Sequence, residues 1–198
     1  MLKGIGIGVG GLVLSYVIWM LIWGGGAVVS EKVSYDAKPE INIYNLEQEI
    51  YQLTNSERRG NAPLLSYDPA LSDIARKHSQ DMVNRHYFDH NTPEGKDPTK
   101  RGLDAGYRCY KDFGSYYMEG LAENLSKNNL YDSYTTINGI KSSYDWNTSS
   151  EIAQSTVQGW MGSSGHRENI LDSTYDKVGI GVSIDQTNDQ VLITQLFC

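Results

Sequence analysis

The sequence predicts an α+β fold in which helices cover an antiparallel sheet, preceded by one N-terminal transmembrane helix. Three observations carry this expectation. Apolar residues recur at helical spacing in the first half of the chain and again around residues 152–160. Strict alternation appears only near the C-terminus, where Val178, Ile180, Val182 and Ile184 are separated by small residues. A run from Gly4 to Ser30 contains no charged residue. At 198 residues the chain suffices for one domain plus an appendage.

The N-terminal run comes first. A helix needs about 20 predominantly apolar residues to span a bilayer. Tyr16, Trp19 and Trp23 cluster toward the end of the run, where an interfacial aromatic belt would lie, and Lys3 favours an N-terminus-inside orientation. Residues 1–26 are therefore read as a membrane anchor and 27–41 as a linker, with 42–198 as the folded domain. A cleaved signal peptide is the alternative, since Gly25-Gly26-Ala27 offers a small-x-small cleavage site. The expected location is the cell membrane with the domain outside, or secretion if the segment is cleaved.

Within the domain, Ile43, Leu46, Ile50 and Leu53 mark a first helix, stopped near Gly60 with Pro63 beyond. Asp68-Pro69 opens a second, with aspartate as N-cap and proline in the first turn. Its apolar stripe includes Leu71, Ile74, Ala75 and Met82, and His78 lies on the same buried face, where a histidine is read as a core residue rather than a ligand. After a turn-rich loop from Asn91 to Pro98, a short helix over Thr99–Ala105 ends near Gly106. Residues 126–150 are rich in Ser, Asn, Thr and Tyr with little periodicity, and read as a long surface insertion. Thr148-Ser149-Ser150-Glu151 has capping-box spacing, and the helix it opens carries Ile152, Ala153, Thr156, Val157 and Trp160 on one face. Asp185–Asp189 turns the terminal hairpin, and Gln190–Phe197 returns.

The net charge of −7 disfavours a nucleic-acid partner. The two cysteines, Cys109 and Cys198, are too few for a four-cysteine zinc site. In an exported, oxidising setting they are expected to pair as a disulfide, the alternative being two separate buried thiols.

Three polar motifs stand out, each flanked by apolar residues: Tyr87-Phe88-Asp89-His90, Leu121-Ala122-Glu123-Asn124-Leu125, and Trp160-Met161-Gly162-Ser163-Ser164-Gly165-His166-Arg167-Glu168-Asn169. They are read as polar turns that bring His90, Glu123 and His166 into one cavity. Two neutral imidazoles, His90 and His166, could hold zinc or another divalent metal with Glu123 joining or orienting one of them. The competing reading is a hydrogen-bonded polar cavity without metal. Ser163 or Ser164 near His166 superficially suggests serine-type chemistry, but no Gly-x-Ser-x-Gly elbow and no His-Glu-x-x-His motif is present.

In order and spacing these motifs resemble the CAP superfamily, the cysteine-rich secretory, antigen 5 and pathogenesis-related-1 domain, and especially its prokaryotic SCP-like extracellular branch. The resemblance covers about residues 43 to 198. It includes Asn55-Ser56-Glu57-Arg58-Arg59, Ser66-Tyr67-Asp68-Pro69-Ala70-Leu71, Ala75-Arg76-Lys77-His78-Ser79-Gln80-Asp81-Met82, Gly165-His166-Arg167-Glu168-Asn169-Ile170-Leu171 and Val178-Gly179-Ile180-Gly181-Val182. It implies an α-β-α sandwich with a central antiparallel sheet, and a cavity lined by two histidines and two acidic residues that holds divalent metal in some members. His90, Glu123 and His166 match three of those positions. Animal-type members carry the second glutamate three residues after a tryptophan. Here Trp160 is followed at that distance by Ser163, so one carboxylate is missing.

The expected function is a membrane-anchored extracytoplasmic binding or interaction module built on this His/Glu cavity. Its partners are the membrane, through the N-terminal helix, and a small-molecule, lipid or cell-envelope ligand. A metal-assisted or serine-type hydrolase using the same cleft is the alternative.

Overall fold

The computed structural model describes residues 38–198. The anchor expected over residues 1–26 and most of the linker lie outside the described residues, among which no helix is long and apolar enough to cross a membrane.

The elements follow the expected order, with more strands than the periodicity announced. Helix α1 spans Ile43–Arg58, strand β1 Ser66–Tyr67, helix α2 Pro69–Arg85 and helix α3 Pro98–Asp104. Strands β2 (Tyr110–Asp112), β3 (Tyr117–Glu119), β4 (Ala122–Asn129), β5 (Tyr131–Ile137) and β6 (Ile140–Trp146) fill the middle of the chain. Helices α4 (Ser149–Gly162) and α5 (Ser164–Leu171) precede the terminal hairpin of β7 (Lys177–Asp185) and β8 (Gln190–Phe197). The expected caps form. The Asp68 carboxylate accepts from the N–H groups of Ala70 and Leu71, and Thr148 and Glu151 close a reciprocal capping box.

The central sheet has the order β1-β7-β8-β4. The β7–β8 and β8–β4 pairs are antiparallel, and only the two-residue β1 joins in parallel. The predicted surface insertion is corrected in two ways. Residues 126–129 complete β4, paired along its length with β8, and residues 131–146 form a separate hairpin of β5 and β6. Periodicity missed β4 because its two faces meet different surroundings. Glu123 and Leu125 look one way, and the buried Asn124 looks the other.

Period-two alternation sorts the sheet residues between two helical layers. Val178, Ile180, Val182, Val191, Ile193 and Phe197 join a core with Leu46 and Ile50 of α1 and Ile152, Val157 and Trp160 of α4. On the other face Leu196 packs with Leu71, Ile74 and Ala75 of α2. Leu125 and Leu192 pack with Met82 near the end of the same helix.

Helix α2 lies directly on β7 because Gly179 and Gly181 leave room for its backbone. A Cβ at Gly179 would stand 2.4 Å from the Leu71 carbonyl carbon, and one at Gly181 would stand 2.0 Å from the Arg76 nitrogen. Hydroxyls stitch this contact. Ser72 Oγ accepts from the Ile180 N–H at 3.1 Å, and Ser79 Oγ donates to the Gly181 carbonyl at 2.9 Å. Ser79 has one proton to give, so Thr194 is the donor in their 2.8 Å hydroxyl pair. Glu47, fully buried in α1, accepts from Arg76 of α2 at 2.7 and 2.8 Å and from the Val182 N–H at 3.2 Å. At the far end of α1, the buried Arg58 donates to the carbonyls of Pro63, Ile170, Asp172 and Tyr175.

Cys109 and Cys198 form the expected disulfide, with Cα atoms 5.6 Å apart and a sequence separation of 89. Closing a loop of that length is worth about 4–5 kcal/mol in the chain-entropy account.

The glycine contact gives a direct prediction. Gly181→Ala forces a methyl into helix backbone and is expected to cost more than the ~1–3 kcal/mol of ordinary overpacking. Gly159→Ala, in α4 with nothing within 4 Å of the new methyl, is expected to stabilise by about 0.5–1 kcal/mol. Urea unfolding of both variants checks this, and equal effects would contradict the packing account.

Candidate functional site: a buried carboxylate between two cations

Glu123 is the centre of the site. It lies on β4 rather than in a turn, on the face toward α2, and its side chain is 1% exposed. Both carboxylate oxygens are engaged. Oε1 accepts from His90 Nδ1 at 2.8 Å, and Oε2 accepts from Arg101 Nη2. Arg101, whose side chain is 9% exposed, also donates through Nη1 to the carbonyls of His90 (2.5 Å) and Lys96 (3.1 Å). One guanidinium thus neutralises the carboxylate and fixes the loop that carries the histidine. Arg101 Nε is buried without a protein partner among the described residues.

His90 is the loop member of the group, in the segment after α2. A carboxylate can only accept, so the proton between them sits on His90 Nδ1 and leaves Nε2 directed away from the carboxylate. The side chain is 51% exposed. The hydrogen bond that His90 donates to Glu123 is the main cause that raises its pKa, against the opposing effect of burial.

His78 is a core histidine, as expected, but it also backs the site. Its Nε2 lies 3.1 Å from the Asp89 carbonyl and 4.0 Å from Glu123 Oε1, and its edge meets the Tyr87 ring. The carbonyl accepts, which assigns the proton to Nε2. Burial is the main cause that lowers its pKa, so the ring is held neutral behind the carboxylate.

His166 lies on α5, a helix, and not in a polar turn. Asn124 secures that helix to β4. Its Nδ2 donates to the His166 carbonyl at 3.1 Å, while Asn169 Nδ2 donates to Asn124 Oδ1 at 2.9 Å. Burial lowers the His166 pKa, and the charge on His90 lowers it further. Ser163 sits at the junction of α4 and α5. Its N–H donates to the Trp160 carbonyl and its carbonyl accepts from Arg167 N, with no side-chain cap bond.

The polar turns expected for all three motifs thus hold only for His90. Strand β4 and helix α5 supply the other two residues. Arg101 was not among the expected site residues. Its one sequence signal is a position in the short helix directly after the His90 loop.

Of the two readings of His90 and His166, a divalent metal fits this arrangement less well than a hydrogen-bonded polar cluster. His90 Nδ1 and Arg101 engage both oxygens of Glu123, the sequence has Ser163 where the family resemblance implies a second carboxylate, and a guanidinium already supplies positive charge. Only two imidazoles are left as donors, short of the three protein ligands of a catalytic zinc site. Among the described residues, no group of three or more His, Cys, Asp or Glu side chains could hold a metal ion.

A pocket of about 330 Å³ opens next to this cluster, with Lys77, Asp81, Thr92 and Lys96 in its walls alongside His78 and Arg101. Those two side chains are common to the pocket and the carboxylate cluster, whereas His90, Glu123 and His166 are not part of its lining.

Two predictions follow from the charges. Replacing Arg101 by methionine leaves a buried carboxylate without its main counter-charge and is expected to cost about 3–5 kcal/mol in denaturant unfolding. A loss below about 1 kcal/mol would contradict the clamp. The raised pKa of His90 contributes stability that is complete below about pH 6.5, the unfolded imidazole value, and disappears as pH rises through the folded pKa. The lowered pKa values of His78 and His166 act oppositely, costing stability as pH falls below the same value. His90→Gln is therefore expected to lower Tm more in mildly acidic than in alkaline buffer. An equal drop in both would refute this assignment.

The model of CAP, the cysteine-rich secretory protein family, matches residues 51–197. The uncharacterized protein YkwD of Bacillus subtilis (strain 168) is 30% identical over 154 residues, covering 77% of this chain and 48% of YkwD. The uncharacterized membrane protein YlbC of the same organism is 26% identical over 158 residues, covering 79% of this chain and 37% of YlbC. The chain therefore spans less than half the length of these two relatives. Among solved structures, an extracellular protein containing an SCP domain from Bacillus anthracis str. Ames aligns with a TM-score of 0.55 at 27% identity, covering 78% of this chain and 40% of that one.

Proposed function

Since the chain belongs to the cysteine-rich secretory protein (CAP) family, we propose that it is an extracytoplasmic binding module, held at the membrane by its N-terminal segment, with the His90–Glu123–Arg101 cluster as its functional centre. One observation carries the reading. Both oxygens of Glu123 are committed to His90 and Arg101, so the carboxylate presents an imidazole and is not free to activate a water. The exposed side of the cluster is then a hydrogen-bonding nitrogen, His90 Nε2, on a half-exposed ring. It accepts when neutral and donates when protonated. The extracellular SCP-domain protein of Bacillus anthracis and the membrane protein YlbC support the location, and the uncharged run from Gly4 to Ser30 supports the tether. The ligand class is a small molecule, lipid or cell-envelope component carrying a polar group for His90.

The same geometry favours one second reading. A histidine whose Nδ1–H is fixed by a carboxylate is also the oriented base of a hydrolase. Among the described residues the His90 ring donates its hydrogen bond to Glu123, with no serine hydroxyl on Nε2.

One experiment separates the two. The full chain is screened by native mass spectrometry against lipids, cell-wall fragments and small polar metabolites, and assayed on activated esters. The binding module predicts a ligand whose affinity falls about tenfold or more in His90→Gln, the worth of one charge-assisted hydrogen bond, and is unchanged in Ser163→Ala. Ester turnover abolished by Ser163→Ala would overturn binding in favour of catalysis.

A further inference from the structure

The β5–β6 hairpin takes no part in the cluster. Its outer residues, 133–144, include a single charged side chain, Lys141. At the tip Ile137 and Ile140 face each other in register, 63% and 72% exposed. Between them Asn138 and Gly139 both adopt positive φ, 52° and 78°, as a tight hairpin turn with primed geometry requires. Behind the tip stands a set of packed rings. Tyr144 stacks on Trp146 at 4.6 Å, and Tyr131 meets Tyr144 at 5.2 Å and Tyr134 at 5.7 Å. Lys141 Nζ lies 4.3 Å above the Tyr134 ring and 5.1 Å above Tyr131. From the tip inward an aliphatic pair gives way to an aromatic band, over which Lys141 lies with its Nζ donating to the Tyr131 hydroxyl at 2.9 Å. That is the order of side chains across the boundary between acyl chains, lipid headgroups and water.

The path of the chain supplies the second observation. Lys38, the first described residue, lies at the base of this hairpin, with Nζ 5.7 Å from the Trp146 ring and 2.5 Å from Asp189 Oδ1. Eight positions separate it from Ser30, the end of the uncharged run. Even fully extended they span at most roughly 27 Å. A seven-residue strand such as β5 reaches about 23 Å. A bilayer holding residues 4–30 therefore stays within reach of the hairpin tip.

We propose that the β5–β6 tip docks into the phospholipid bilayer that anchors the chain. Ile137 and Ile140 enter the acyl boundary, and Tyr134, Tyr144 and Lys141 lie at headgroup level, while Tyr131 and Trp146 stay at the base of the hairpin, where Trp146 packs on the domain. The inference rests on the membrane-tether reading above. Because the chain as a whole carries −7, the contact is local: the acidic body is repelled by an anionic surface that the tip cation attracts.

The test uses the full chain with Ile137→Cys, labelled with an environment-sensitive fluorophore under non-reducing conditions so that Cys109–Cys198 stays closed. It is reconstituted with vesicles of phosphatidylcholine and phosphatidylglycerol. The reference is Asn61→Cys, in the exposed turn at the far end of α1. Flotation reads the tether, and quenching by headgroup-region spin-labelled lipids reads the tip. The expected result is flotation of both proteins, with several-fold stronger quenching at position 137 than at 61. Flotation with equal quenching overturns the docking and leaves the tether standing. Failure to float overturns both. A blue-shifted tip label that spin-labelled lipid does not quench overturns the bilayer as occupant and points to a second protein copy.

Discussion

The close approach of α2 to β7 is the contact on which the remaining architecture depends. Two glycines two residues apart on one face of a strand remove the side-chain layer that normally keeps a helix about 10 Å from a sheet. With that layer gone, short side chains reach the opposing backbone, and Ser72 and Ser79 satisfy sheet groups across the interface. Glu47 extends the connection to α1 on the other face of the sheet by accepting from both Arg76 and Val182. The polar groups buried here are paired, which is the condition under which burying them is affordable.

This depth of packing also creates the environment of the site. His78 projects from α2 toward β4 and is kept neutral by burial, so the helix delivers a polar but uncharged wall behind Glu123. The carboxylate then relies on Arg101 and His90 for its compensation. Because Arg101 holds the His90 carbonyl as well as Glu123, the position of the exposed imidazole depends on a helix that follows it in sequence. Asn124 does the corresponding work on the opposite face of β4, fastening α5 and thus His166. A single strand dipeptide, Glu123-Asn124, organises both halves of the cluster because consecutive strand residues point to opposite faces.

His90, His78 and His166 occupy different electrostatic positions, and only the first two lie at Glu123 itself. Direct hydrogen bonding to the carboxylate favours the charged form of His90, whereas burial favours the neutral form of His78 and His166. The half-exposed imidazole of His90 is thus biased toward carrying a proton, and those of His78 and His166 toward not carrying one. That asymmetry, together with the arginine already present, explains why this donor set suits hydrogen bonding better than metal coordination.

Much of this was legible in the amino-acid sequence, for local reasons. Helix periodicity, the Asp68-Pro69 and Thr148–Glu151 caps, and the alternation from Val178 onward depend on neighbours a few residues away, and all appear in the structure close to their expected bounds. The motifs around His90, Glu123 and His166, and the pair Cys109 and Cys198, could be singled out because their residue types are unusual where they stand. Other features could be decided only in three dimensions. Glu123 was read in a turn because a buried acid gives no strand signal, and its place on β4 follows from pairing with β8 some 70 residues later. Residues 131–146 looked like an irregular insertion because their alternation is not apolar against polar; strand pairing with edge-to-face and tilted aromatic contacts across the two strands makes them a hairpin. Arg101 looked like one surface cation among many. It became a member of the site only when the fold placed it against a carboxylate 22 residues away, since charge pairing depends on distance in space and leaves no periodic trace along the chain.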